Sequence, residues 1–98
     1  MGWTVIVEHE SGKPVKTLPY QFGFSGCDIM YDGEFKTLCY LDPYGDTTFN
    51  SLMFQDLIAD LALLKKRIPA GGTQIDDVLA LVLECQEQVH TYLKFYGD

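Results

Sequence analysis

Three residues able to grip a cationic group, Asp42, Tyr44 and Asp46, fall within five positions of the run Leu38-Cys39-Tyr40-Leu41-Asp42-Pro43-Tyr44-Gly45-Asp46-Thr47-Thr48-Phe49-Asn50. An apolar stretch stops there at a Pro-Gly turn, and an amphipathic helix pattern starts after it. Two carboxylates can accept charge-assisted hydrogen bonds from Lys or Arg, and a tyrosine between them supplies a rigid aromatic anchor. A second acidic group, Asp28, Asp32 and Glu34, surrounds the Asp32-Gly33 pair. These patterns point to recognition rather than turnover, since no nucleophile-base pair or metal quartet accompanies either of them. The same turn also has a structural reading. Asp42 and Pro43 begin a β-turn, Tyr44 packs over a sheet edge and Asp46 helps start the next helix. A rigid turn serves as a platform, so the two roles are compatible.

Other spacings in the chain fall short of the chemistry they suggest. Asp42-x-x-Gly45-Asp46-Thr47 resembles the D-x-D-G-T nucleophile loop of haloacid dehalogenase phosphatases, but the spacing differs and no repeated βαβ pattern exists to carry it. Counted as a calcium loop from Asp28, position three is Met30 and position twelve is Cys39, which removes two oxygen ligands. Glu87-x-x-His90 has di-iron spacing, yet such sites need a second motif and further helical glutamates. His9 lacks a partner at zinc spacing, the glycines form no phosphate cradle, and Ile6 stands where N-myristoylation requires Ser or Thr. The chain is read as a non-enzyme with no catalytic residues, no cofactor and no metal.

Composition bounds the partner. The 98 residues suit one domain, 1–98, and a 47% hydrophobic content with six Tyr, six Phe and one Trp supports a core without staples. A net charge of -7 disfavours nucleic acid and anionic lipid and suits a basic protein. No apolar run approaches the ~20 residues of a membrane span, and the start has no basic stretch ahead of an apolar one. Cys27, Cys39 and Cys85, odd in number and without C-x-x-C spacing, read as reduced thiols of a cytoplasmic protein.

The elements that must position these residues follow from periodicity. Trp3, Val5 and Val7 alternate with Thr4, Ile6 and Glu8, and the turn cluster Glu10–Pro14 folds a second strand, Val15 to Tyr20, back on the first. Asp32-Gly33 predicts a hairpin between Ile29–Tyr31 and Phe35–Leu41, with Phe35, Thr37, Cys39 and Leu41 on one face. Such a strand spans roughly 20–25 Å, so one partner could reach the acidic turns at both its ends. Phe54, Leu57, Ile58, Leu61, Leu64 and Ile68 then form a helical stripe, while Gln55, Asp56, Asp60 and Lys66 lie mostly elsewhere. Asn50 or Ser51 caps its start and Pro69–Gly72 ends it; Thr73 to Asp76 resembles a capping box.

The C-terminus offers two readings. Tyr40–Asp46 and Tyr92–Asp98 share five of seven residues, which suggests equivalent strands. Against this, Ile75, Val78, Val82, Cys85, Val89, Tyr92 and Tyr96 step by three and four without a break, and Gly97 occupies a helix C′ position. The period is followed, giving one helix over 74–96. The expected fold is therefore α+β: about four antiparallel strands within 3–42, covered on one face by two long C-terminal helices, 51–67 and 74–96.

The run Leu41–Asn50 together with His90–Asp98 resembles segments of small bacterial proteins, some of which act as immunity proteins of polymorphic or contact-dependent toxin systems. The resemblance covers about a fifth of the chain. It implies a cytoplasmic antidote that binds a cognate toxin domain, often a basic nuclease, and masks its active site. The expected partner contacts, read from the acidic turns themselves, are Asp42, Tyr44 and Asp46, with Asp32 and Glu34 as the second cluster. The alternative is a small cytoplasmic enzyme or a self-assembling structural or adaptor protein, and self-association stays open in either case.

Overall fold

A computed structural model describes residues 2–23, 33–42 and 44–97. It has the α+β architecture with a four-stranded antiparallel sheet and two helices. The strands are β1 (Trp3–His9), β2 (Pro14–Thr17), β3 (Asp46–Phe49) and β4 (Thr91–Gly97), in the spatial order β2-β1-β4-β3. The helices are α1 (Phe54–Arg67) and α2 (Gly72–Gln86). β1 behaves as its alternation dictates, with Trp3, Val5 and Val7 buried. Directly paired residues share a face, so Leu93 and Phe95 of β4 join the same core. The ring of Phe95 meets Phe49 edge-on, centroids 5.6 Å apart, and Phe22 at 6.2 Å.

Both helices bury the stripes their spacing predicts, Phe54, Leu57, Leu61 and Leu64 on α1 and Ile75, Val78, Val82 and Cys85 on α2. Asn50 is the cap: its Oδ1 accepts the Leu52 N–H at 3.0 Å, and a 3-10 turn, Ser51–Met53, runs on into α1. The Thr73–Asp76 box does not form. A second 3-10 turn, Pro69–Gly71, leads directly into α2, and the Asp76 carboxylate instead meets Lys65 at 2.8 Å.

The C-terminal helix is shorter than its period implies. α2 ends at Gln86, and 91–97 is a strand between β1 and β3. The buried Thr91 Oγ1 donates to the carbonyls of Cys85 at 3.1 Å and Gln88 at 3.2 Å, so groups left over at the helix end are taken up by the first strand residue. His90 turns the chain with φ of 60°, a left-handed conformation that histidine tolerates better than branched residues. The apolar stripe does not continue past Cys85, for Val89 is exposed, whereas Thr91, Leu93 and Phe95 alternate inward. The strand reading of Tyr92–Tyr96 is thus the correct one, but its neighbours are β1 and β3, not Leu38–Leu41.

The expected strand at Phe35–Leu41 is absent. Leu38–Tyr40 is a 3-10 turn, and the buried apolar residues Phe35, Leu38 and Leu41 follow a step of three instead of two, with Thr37 buried beside them through its bonds to Asp60. The cause is Asp60, expected off the apolar face and found only 3% exposed. Its Oδ2 accepts the N–H groups of Lys36 at 3.0 Å, Thr37 at 2.6 Å and Leu38 at 3.0 Å, and the Thr37 hydroxyl at 2.7 Å. Donors directed at one carboxylate cannot serve a strand ladder. The hairpin's other arm, Ile29–Tyr31, lies outside the described residues, as do Asp28, Asp32 and Cys27.

Candidate functional site

The Asp42–Asp46 turn is held from four sides. The indole of Trp3, at the start of β1, donates Nε1–H to the Asp42 carbonyl at 3.0 Å. The Gly97 N–H donates to the Gly45 carbonyl at 2.9 Å and so prolongs the β3–β4 ladder into the turn. Thr47 Oγ1 accepts the Asp42 N–H and donates to the Tyr40 carbonyl, each at 3.3 Å. Inside the turn, Asp42 Oδ1 accepts the Tyr44 N–H at 2.9 Å, an Asx-turn geometry. A side chain at 45 would crowd the turn: a Cβ there would lie 2.7 Å from Asp42 Oδ2, so that carboxylate would have to move. Local sequence and tertiary anchors thus act together on Asp42, Tyr44 and Gly45.

The side chains on this backbone face water. Tyr44 is 80% exposed and does not pack over the sheet edge. Asp42 and Asp46 are exposed too, and Asp46 begins β3 where helix initiation was expected. The signal for β3 was the β-branched pair Thr47-Thr48 followed by Phe49. Glu34 is exposed but joined to Arg67 Nη2 at 2.9 Å, and that guanidinium lies 5.5 Å from the centre of the Phe35 ring. Its charge is therefore already paired, at the carboxyl end of α1. Because Phe35–Leu41 is not a strand, the proposed span of 20–25 Å between the two acidic turns does not apply. Asp42, Tyr44 and Asp46 are brought together; Glu34 belongs to a separate ion pair, and Asp32 lies outside the described residues.

Two further polar groupings escaped the sequence reading. On the outer sheet face Glu8, 6% exposed, accepts the Tyr96 hydroxyl and lies 3.4 Å from Lys94 Nζ. The hydrogen bond to Glu8 raises the pKa of both Tyr96 and Lys94 above their ordinary values. Tyr20 donates to Asp77 of α2, and that bond is the main cause of its pKa being pushed up to about 12, with burial and the Asp77 charge adding to it. Nearby, a cleft of about 240 Å³ lies between β2 and α2, bordered by Lys16, Leu18, Pro19, Asp77, Ala80 and Leu81. That is below the roughly 300–1,000 Å³ of small-molecule sites.

Among the described residues no group of three or more His, Cys, Asp or Glu is placed to hold a metal ion. Glu87 and His90 do not share a helix; His90 Nδ1 instead lies 3.2 Å from Glu10. The Cys85 thiol is buried, which raises its pKa, and contacts Thr91 Oγ1 at 3.2 Å. No helix among the described residues is long and apolar enough to cross a membrane. Compared with protein-family models, curated proteins and solved structures, the chain matches none.

Proposed function

We propose that this protein is a non-enzymatic, acidic protein-binding module: a cytoplasmic immunity protein that binds and neutralises a cognate basic toxin domain of the nuclease type. The observation that carries the reading is the grouping of Asp42, Tyr44 and Asp46, with Asp42 and Gly45 anchored by bonds to Trp3, Thr47 and Gly97 and an aromatic ring and two carboxylates left in water. Preorganisation lowers the ordering cost of binding, and exposed Tyr is a favoured anchor at protein interfaces. The -7 charge speeds encounter with a positive surface and imitates the phosphates that a nuclease engages. Close charge pairs at such interfaces contribute about 1.5–7 kcal/mol, so two or three carboxylates can dominate affinity. Asp32 and Glu34 form the second proposed contact, with Glu34 weakened as a candidate by its pairing to Arg67.

The test is a pull-down from the native host followed by mass spectrometry. Recovery of a stoichiometric basic toxin fragment supports neutralisation. Recovery of self-copies alone points to a structural oligomer, and turnover of a defined small molecule by the pure protein points to an enzyme.

A further inference from the structure

The sheet has two outer edges, and their hydrogen-bonding groups can be assigned from the registers. Glu10 N–H donates to the His90 carbonyl and Gly97 N–H to the Gly45 carbonyl. In an antiparallel ladder both polar groups of a residue point to the same side and alternate along the strand. On β4, Tyr92, Lys94 and Tyr96 therefore bond to β1, and Leu93, Phe95 and Gly97 bond to β3. It follows that Thr47 and Phe49 of β3 face β4, while the N–H and C=O groups of Asp46 and Thr48 point outward. Among the described residues, no backbone partner meets these groups.

The β2 edge is defended by Pro14, by a bulge beside it opposite Val7/Glu8 and by Lys16, devices that discourage strand addition. Within Asp46–Phe49 the β3 edge has no proline, bulge or lysine, and its one charge is the Asp46 carboxylate, which repels an acidic strand and attracts a basic one. At one end stands Tyr44 and at the other Leu52, 80% and 90% exposed, and the outward edge between them carries Asp46 and Thr48 side chains on the outer sheet face. Four residues cover only about 13 Å at ~3.3 Å each, enough for a short extended segment. A second copy is a poor occupant, because it would bring Asp42, Asp46 and a second charge of -7 against their own likes.

We infer that the outer edge of β3 accepts an extended segment of the partner as a fifth strand, with Lys or Arg at alternate positions facing Asp46 and Asp42 and an apolar residue against Tyr44 or Leu52. Backbone bonds to Asp46 and Thr48 supply part of the affinity, and the carboxylates select the cationic sequence. This inference rests on the proposed function only in taking the partner as a basic protein.

The test uses a synthetic hexapeptide of alternating lysine and valine, with alternating glutamate and valine as its control, titrated into the ¹⁵N-labelled protein. The expected result is slowed amide exchange at Asp46 and Thr48 with the lysine peptide alone, and at least tenfold weaker binding to Thr48→Pro. That substitution removes an outward N–H and no ladder bond. The exchange measurement on the unsubstituted protein needs no variant and decides the matter if Thr48→Pro unfolds. Binding without protection of these two amides overturns the inference, as does equal binding of the glutamate peptide. Protection of both amides in the protein alone, together with sedimentation as a dimer, also overturns it by making a second copy the occupant. Failure to capture a basic protein from the host would remove the neutralising role without altering the peptide result, so the two ideas fail separately.

Discussion

Asp60 and the Asp42–Asp46 turn use the same functional group in opposite ways. Asp60 is buried, and one of its oxygens gathers three backbone N–H groups and a hydroxyl from Lys36–Leu38. At 3% exposure the residue is out of a ligand's reach, and its other oxygen meets the Lys36 N–H at 3.2 Å. Asp42 uses one oxygen on the Tyr44 N–H, and Asp46 stands at the start of an edge strand with its side chain in solvent. The difference teaches how to sort acids in an acidic protein: a carboxylate whose acceptor capacity is filled by backbone holds the fold, and one with capacity left over is available to a partner.

The largest effect should come from the buried member of the pair. Asp60→Ala leaves the N–H groups of Lys36, Thr37 and Leu38 without their acceptor inside the core and should destabilise by about 3–5 kcal/mol, read as a fall in the urea midpoint. Asp60→Asn, which keeps one carbonyl acceptor, should lose less. A loss below ~1 kcal/mol for the alanine variant would break the comparison at its structural side. Glu8 is a second buried acid and extends the test. Glu8→Gln weakens the bond from Tyr96 and should cost about 1–2 kcal/mol in the same assay.

Gly45→Ala probes the turn without changing charge. The new Cβ displaces the Asp42 carboxylate, so stability should fall by only ~1 kcal/mol while partner affinity drops with it. Asp77 stands between the extremes, exposed yet engaged by Tyr20. The Tyr20 pKa is raised from 10.0 to about 12, so the unfolded chain loses this proton first as pH rises. The stabilisation is complete below pH 10 and disappears as pH climbs to about 12. Tyr20→Phe should remove the late component of the tyrosinate absorbance titration and flatten the stability decline across that window.

Much of the fold was legible from period alone. β1, α1 and the first four turns of α2 follow from spacing, because one face of each meets a shared core, whereas β2, exposed at all its residues, follows from the turn cluster Glu10–Pro14. The misreadings have one physical origin, a long-range contact overriding a local pattern. Asp60 holds Lys36–Leu38 out of a ladder from 22–24 residues away, which no window over Phe35–Leu41 can contain. Tyr40–Asp46 and Tyr92–Asp98 share five residues, yet Tyr40 closes a 3-10 turn while Tyr92–Gly97 is strand; β1 on one side and β3 on the other supply the partners that only the second copy has. At the candidate site, a turn starting at Asp42 was readable from residue types, but the exposure of Tyr44, which the structural reading packed over a sheet edge, was not. The start of β3 at Asp46 was not, since its ladder depends on β4.

The central claim is that Asp42, Tyr44 and Asp46 contact a basic partner while Asp60 only secures the segment before them. Its most direct test compares the captured partner's association with wild type and with the Asp42→Asn, Tyr44→Ala, Asp46→Asn triple variant as salt is raised. The account predicts a variant that unfolds cooperatively but binds at least tenfold more weakly, and a wild-type association rate that falls with salt. Unchanged affinity in a folded triple variant would contradict it.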